Sequence, residues 1–198
     1  MKCRAYYSIS FYLIIYIFFL LSSLIPKSND ITSFILDNGL RVIVAEKHET
    51  PVVTINVWYY VGSHDEWDGI RGTAHFFEHM MFKGSKLFPG DVHERVVESL
   101  GGEENAWTSD DYTVYYNRVP SEHIGIVLEL EADRMRNLVI NQKVIDIERE
   151  VVKEEYRQRR SNPLSNEYYR FRKIIYPNDH PYHLTSLGLM SELDTISV

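Results

Sequence analysis

After residue 30, apolar residues recur in patterns typical of short strands and amphipathic helices. Segments that alternate, or that are rich in β-branched and aromatic residues, predict strands at 32–36, 40–45, 52–61, 103–108 and 112–119. The first two strands flank Asn38-Gly39, and an Asn-Gly pair in this position predicts a tight hairpin turn. Residues 52–61 contain few polar side chains, which predicts a strand that is mostly buried.

Helical periodicity predicts five helices between these strands and after them. Their ranges are 73–83, 91–100, 121–136, 142–160 and 164–175. Asp91 is of a residue type that caps helix N-termini, and Asn162-Pro163 predicts the boundary between the last two helices. No repeat or low-complexity segment interrupts this order.

The N-terminal segment, residues 1–26, has the order of a secretory signal. Lys2 and Arg4 precede an unbroken apolar run at 11–21, and serines and a proline follow it. Residues 6–25 together are just long enough to cross a bilayer, so an uncleaved membrane anchor is one alternative. A buried core helix is another, although the predicted strands begin only after this run. We therefore expect an exported protein, periplasmic or extracellular, in which residues 6–25 are a candidate membrane anchor.

Charge and cysteine content narrow the possible chemistry. The chain of 198 residues has a formal net charge of −7, which argues against a nucleic-acid partner. Its single cysteine, Cys3, allows neither a disulfide within the chain nor a zinc site made of thiolates. A metal bound by this chain would therefore have histidine and carboxylate ligands.

The helix predicted at 73–83 combines apolar side chains with three groups that bind metals. His75 and His79 lie one turn apart on one face, and Glu78 lies beside them. Nearly all its other side chains are apolar, which predicts that the helix is buried. Buried imidazoles and carboxylates need partners, and a divalent cation would serve all three. The order His-x-x-Glu-His is the inverzincin motif, and the alternative is a core helix whose histidines have protein partners.

The fourth predicted helix carries two carboxylates within its apolar stripe. At about 100° per residue, Glu148 and Glu155 fall among the apolar side chains, whereas Glu154 falls at the margin. Leaving such carboxylates unpaired would cost on the order of several kcal/mol. We interpret Glu155 as the third metal ligand and Glu148 as a carboxylate that supports a ligand imidazole. The alternatives are ligation by Glu154 and pairing of the carboxylates with Arg71 or Arg118.

Five other histidines are interpreted as surface residues. His64, His93 and His123 lie among polar residues, and His180 and His183 lie in a loop that contains prolines. A second metal site in that loop is the alternative for the last two.

Together, the two motif-bearing helices resemble those of the pitrilysin/insulinase family of zinc metallopeptidases, which includes the mitochondrial processing peptidases. The resemblance rests on Arg71-Gly-Thr-Ala-His75-Phe-Phe-Glu78-His79-Met-Met-Phe-Lys-Gly84 and on Glu148-Arg-Glu-Val-Val-Lys-Glu154-Glu155. In the family, His-x-x-Glu-His is followed by a distant ligand glutamate, which a second glutamate precedes by two helical turns. The resemblance implies that His75, His79 and Glu155 bind Zn²⁺, that Glu78 is the catalytic base, and that Glu148 is the supporting acid.

A further segment, Gly101-Gly-Glu-Glu-Asn105-Ala106-Trp-Thr108, resembles the substrate-binding strand of the same family. The resemblance implies that the backbone of Asn105 and Ala106 pairs with an extended peptide, which is binding by β-augmentation. A strand-end or turn asparagine is the alternative for Asn105.

The resemblance also implies a fold and a reaction. The fold is α+β, with helices packed on an antiparallel-rich sheet in two layers, as in the metallohydrolase domain of the processing peptidases. Residues 27–198 correspond to the N-terminal zinc domain, and we expect this domain to be incomplete at its C-terminal end. The implied reaction is endoproteolysis of extended or unfolded polypeptides by a zinc-activated water, and it would need a second half-molecule or partner subunit. The alternative is a non-catalytic, membrane-tethered subunit or binding protein of the same fold.

Overall fold

The computed structural model describes residues 31–197. The chain divides into two compact units, Met1–Thr50 and Pro51–Val198. In the first unit, β1 (Ile31–Ile35) and β2 (Arg41–Ala45) form the predicted antiparallel hairpin. The signal or anchor predicted at the N-terminus lies outside the described residues. Within the described part of the chain, no helix is both long and apolar enough to span a membrane.

The second unit contains a three-stranded sheet and six helices among its described residues. The strands are β3 (Val52–Tyr59), β4 (Glu103–Thr108) and β5 (Thr113–Pro120). The helices are α1 (Thr73–Met80), α2 (Val92–Ser99), α3 (Ile124–Asn137), α4 (Gln142–Ser161), α5 (Pro163–Ile175) and α6 (Met190–Leu193). The predicted α+β class, with helices packed on an antiparallel sheet, is confirmed.

Strand β5 is central in this sheet, because the spatial order is β3-β5-β4 and both pairings are antiparallel. On β3, Val53 and Ile55 pack against the core, whereas Trp58 on the other face is 48% exposed. The prediction of a mostly buried β3 is therefore wrong. Its outward side chains are apolar or uncharged, and an apolar sequence alone does not distinguish a strand covered on one face from one covered on both.

Two apolar clusters form the core of the second unit. One joins α1, α4 and α6 through Phe76, Met80, Ile145, Val152 and Leu193. The other joins α2, α3 and β5 through Val97, Val119, Val127 and Leu130. The first cluster holds α1 against α4, so the two helices that carry the predicted ligands are packed directly together.

Asparagines define the ends of α4. Asn141 Oδ1 accepts a hydrogen bond from Val144 N at 3.0 Å, and Asn162 Oδ1 accepts one from Leu164 N at 2.9 Å. Asn162 therefore ends α4 and caps α5, as its sequence position predicts. The expected cap by Asp91 is wrong, because this side chain makes no capping hydrogen bond and pairs with a nearby arginine.

Candidate metal centre

Glu66 holds the N-terminus of α1 in place. Gly72 precedes the helix with φ of 94°, and a Cβ at this position would lie 2.9 Å from Leu187 O. The N–H groups of Gly72 and Ala74 each donate a hydrogen bond of 2.7 Å to the Glu66 carboxylate. A carboxylate in this position satisfies free N–H groups and interacts favourably with the helix dipole. These contacts fix the start of the helix that carries both predicted histidine ligands.

His75, His79 and Glu155 converge between α1 and α4. One possible ligand atom from each residue lies within 4.8 Å of the other two. Glu155 Oε2 is 3.1 Å from His79 Nε2 and 3.6 Å from His75 Nε2. Ligand atoms about 2.1 Å from a tetrahedral zinc lie about 3.4 Å apart, so these separations suit one zinc ion. Two imidazole nitrogens and one carboxylate oxygen are also a ligand set found in catalytic zinc sites.

Glu148 orients the ring of His79. Its Oε1 lies 2.9 Å from His79 Nδ1, and its Oε2 lies 2.7 Å from Lys83 Nζ. A hydrogen bond from Nδ1–H to Glu148 leaves Nε2 of the neutral ring available to bind a metal. Glu148 is only 3% exposed, and the Lys83 cation offsets part of the cost of burying its charge.

The two histidines differ in their electrostatic environment. Burial lowers the pKa of His75 to about 4, so this imidazole is neutral at neutral pH. Burial also acts to lower the pKa of His79, but hydrogen bonds with Glu148 and Glu155 overcome it and raise the pKa to about 9. The bond with His79 is the largest cause that lowers the pKa of Glu155 to about 2. The two carboxylates, Glu148 and Glu155, thus favour positive charge at His79.

Glu78 lies on α1 with His75 and His79, and its side chain contacts β4. Burial raises the pKa of Glu78, and a hydrogen bond from Thr108 Oγ1 to Glu78 Oε2 opposes this rise. A carboxylate whose pKa is raised and which lies next to a predicted metal ligand has the properties expected of a general base.

Within the described part of the chain, neither glutamate of α4 makes the alternative pairing with Arg71 or Arg118. Arg71 and Arg118 pair with other carboxylates, neither of them on α4. Glu154 is exposed and pairs with an arginine of its own helix at 3.1 Å. Glu155 Oε1 pairs with Arg159 on the next turn, while its Oε2 faces the two histidines.

Asn105 and Ala106 lie on β4, which is an edge strand of the sheet formed by residues 51–197. Asn105 is exposed, and its Oδ1 accepts a hydrogen bond of 2.8 Å from Ala106 N. An edge strand has backbone groups that can pair with a further strand. Because Thr108 of the same strand contacts Glu78, the predicted peptide-binding segment adjoins the predicted catalytic base.

The sequence did not indicate that Lys83 and Thr108 support the site. Lys83 lies four residues after His79, a spacing that places it on the same side of a helical segment and could have indicated a role. Thr108 carries no such signal, because its contact with Glu78 depends on how β4 packs against α1.

His93 is buried, so its predicted surface position is wrong. Its Nε2 lies 3.0 Å from Glu104 Oε2 and 3.0 Å from Asn117 Oδ1. The partners lie on β4 and β5, and the polar residues next to His93 gave no sign of them. His180 stacks on Tyr176 with ring centroids 4.7 Å apart. Across residues 31–197, the loop with His180 forms no group of metal-ligating side chains.

Known proteins are similar to this chain in sequence. The family model described as Insulinase (Peptidase family M16) matches residues 41–178. The zinc protease PqqE of Helicobacter pylori is 37% identical over 173 residues, which cover 86% of this chain and 38% of that protein. The cytochrome b-c1 complex subunit 1 of Rattus norvegicus mitochondria is 38% identical over 124 residues, which cover 63% of this chain and 26% of that protein.

Solved structures share the fold. A protease from Helicobacter pylori matches with a TM-score of 0.82 at 35% identity, covering 86% of this chain and 41% of that chain. The first half of the periplasmic protease PqqL from Escherichia coli matches with a TM-score of 0.78 at 29% identity. The match covers 87% of this chain and 38% of that chain. This chain therefore spans less than half of the length of each of these proteins.

Proposed function

Because this chain belongs to the insulinase family, peptidase family M16, we propose that it is the zinc-binding part of a metalloendopeptidase. The observation that carries the proposal is the convergence of His75, His79 and Glu155 within 4.8 Å, with Glu78 on the same helix. A structural core would not need three such groups so close together, because taking them even partly out of water without a cation is costly. The family is one of zinc proteases, and this ligand set suits zinc.

In the proposed reaction, each protein group has a distinct task. His75, His79 and Glu155 would hold the zinc, and Glu148 would keep His79 in the tautomer that binds metal. Zinc in such a site polarises the scissile carbonyl and makes water a better nucleophile. Glu78 would accept a proton from the attacking water and donate it to the leaving amine, as a general base and then a general acid.

The proposed substrate is a peptide or an unfolded polypeptide in extended form. It would add to the free edge of β4 and make main-chain hydrogen bonds with Asn105 and Ala106. Main-chain hydrogen bonds do not depend on side-chain identity, so this strand would bind many sequences. The proximity of Thr108 to Glu78 supports this proposal, because it puts the strand next to the base.

We also propose a second half-molecule or partner subunit, and export from the cytoplasm. The chain spans 38% of the Helicobacter pylori zinc protease, so much of such an enzyme would lie in other segments. The similarity to the first half of a periplasmic protease supports both proposals. The apolar run at 11–21 after two basic residues supports export independently.

A non-catalytic subunit is the second candidate function. It is favoured by the 38% identity to a protein named as a subunit of the cytochrome b-c1 complex rather than as a protease. Against it stands the complete set of predicted site residues, which a subunit without catalytic activity would not need. Cleavage activity separates the two functions.

The test compares the unaltered chain with Glu78→Gln, each combined with a second half-molecule from a relative. We expect about one zinc per chain in both proteins, because Glu78 is not a proposed ligand. Peptide cleavage should fall by a factor of at least about 100 in the variant, since general base catalysis contributes this much. Full cleavage by the variant would remove the proposed role of Glu78, and a zinc-loaded complex that cleaves no peptide would favour the non-catalytic subunit.

A further inference from the structure

Thr108 contacts the proposed catalytic base directly. Its hydroxyl donates a hydrogen bond to Oε2 of Glu78, across the interface between β4 and α1. Within residues 31–197, this is the one hydrogen bond that the structure records to the Glu78 carboxylate. A hydrogen bond to one carboxylate oxygen restricts the rotation of the group and leaves its second oxygen available. Oε1 of Glu78 is therefore the oxygen free to exchange a proton with substrate or water.

Thr108 is itself held by the sheet and by the turn that follows it. In the register of β4 and β5, Thr108 lies opposite Thr113, whose Oγ1 is 3.3 Å from Thr108 Oγ1. Thr113 Oγ1 donates its one proton to Val61 O at 2.9 Å. The turn is closed by a hydrogen bond of 2.8 Å from Ser109 N to Tyr112 O. The Thr108 side chain, which contacts Glu78, is thus itself held by neighbouring residues.

A buried ion pair fastens the same turn to α5. Arg172 is 5% exposed, and its two terminal nitrogens lie 2.8 and 2.9 Å from the two carboxylate oxygens of Asp110. Asp110 Oδ1 also accepts a hydrogen bond from Ser63 Oγ at 3.0 Å. Such a bidentate pair fixes geometry as well as charge. Asp110, two residues after Thr108, is therefore held by two further segments of the second unit.

We propose that Thr108 is a positioning residue for Glu78, holding Oε2 so that Oε1 is presented for proton transfer. This inference rests on the proposed function, because it assigns Thr108 a part in that reaction. It also gives β4 two roles, since the strand that would bind the peptide through Asn105 and Ala106 also orients the base.

The test uses three variants of the chain combined with a second half-molecule. Thr108→Val removes the hydroxyl at nearly constant volume, and Thr108→Ser keeps it. Thr54→Val makes the same exchange on the exposed face of β3 and serves as the matched control. We expect Thr108→Val to lower kcat by about 10-fold to 100-fold with KM and zinc content unchanged, because only the proton transfer is affected. Thr108→Ser should restore kcat, and Thr54→Val should match the unaltered protein.

A second measurement tests the contact without any catalytic activity. Unfolding midpoints in urea are compared for the zinc-free chain, Thr108→Val, Glu78→Ala and the double variant. Because the two side chains interact, the free energy of unfolding should decrease less in the double variant than the sum of the decreases in the single variants. Additive losses, or unchanged kcat in Thr108→Val, would overturn the role of Thr108. If the unaltered protein cleaves no peptide, the proposed function fails, and the double-mutant comparison still decides whether Thr108 holds Glu78.

Discussion

Two adjacent glutamates of α4 have different environments. The side chain of Glu155 is 26% exposed and faces both histidines, whereas that of Glu154 is 56% exposed and pairs along its own helix. Replacing Glu155 by alanine should therefore lower the affinity for zinc by more than about 100-fold, because a ligand is more important than the groups around it. Competition with a chromophoric chelator measures this affinity directly.

Glu154→Ala is the matched control for that experiment. It removes the same chemical group one residue away, and it should leave zinc affinity within about twofold, as for other exposed charges. Equal losses in the two variants would show that zinc responds to the charge of α4 in general. The assignment of Glu155 as a ligand would then be withdrawn.

At the scale of elements, the N-terminus of α1 depends on a carboxyl group whose pKa is shifted. Burial raises the pKa of Glu66 from 4.5 to about 7, although the N–H groups of Gly72 and Ala74 oppose the rise. Folding thus favours the protonated form. The stability that Glu66 contributes is complete below pH 4.5 and falls as the pH rises to about 7. The total loss is about 3 kcal/mol across this window.

Glu66→Gln provides the test, because glutamine cannot ionise. The free energy of unfolding of the unaltered chain, relative to Glu66→Gln, should decrease steadily between pH 4.5 and pH 7. Urea titrations at several pH values measure this difference, and the other ionisable groups cancel in it. Glu122→Gln, at a side chain that is 80% exposed, is the matched control. A flat curve for Glu66→Gln would contradict the raised pKa.

The elements themselves could be predicted well from the sequence, and the contacts between them less well. The helical period placed Glu148 and Glu155 on the face of α4 that packs on α1, because apolar side chains of both helices meet there in one buried cluster. The burial of His93 and the contact of Thr108 with Glu78 could not be predicted this way. Both depend on residues that only the packing of helices against the sheet brings together.

At the scale of the whole molecule, zinc would join two helices that are distant in sequence. The proposed ligands lie on α1 and α4, and the chain between them forms β4, β5 and two helices of the second unit. A ligand that binds only the folded state raises the free energy of unfolding. The increase grows with the logarithm of the ratio of ligand concentration to dissociation constant. Zinc should therefore stabilise the second unit as a whole, even where the chain has no partner to complete an active enzyme.

Thermal unfolding of the chain with zinc and with a chelator tests this expectation. At a free zinc concentration about 100 times the dissociation constant, Tm should rise by roughly 5 to 10 °C. His79→Ala should remove the shift, because it deletes a proposed ligand, whereas His123→Ala, at a side chain 32% exposed and outside the site, should retain it. If zinc left Tm unchanged in the unaltered chain, the three groups would be held together by their own ion pairs, and the metal centre would be excluded for this chain.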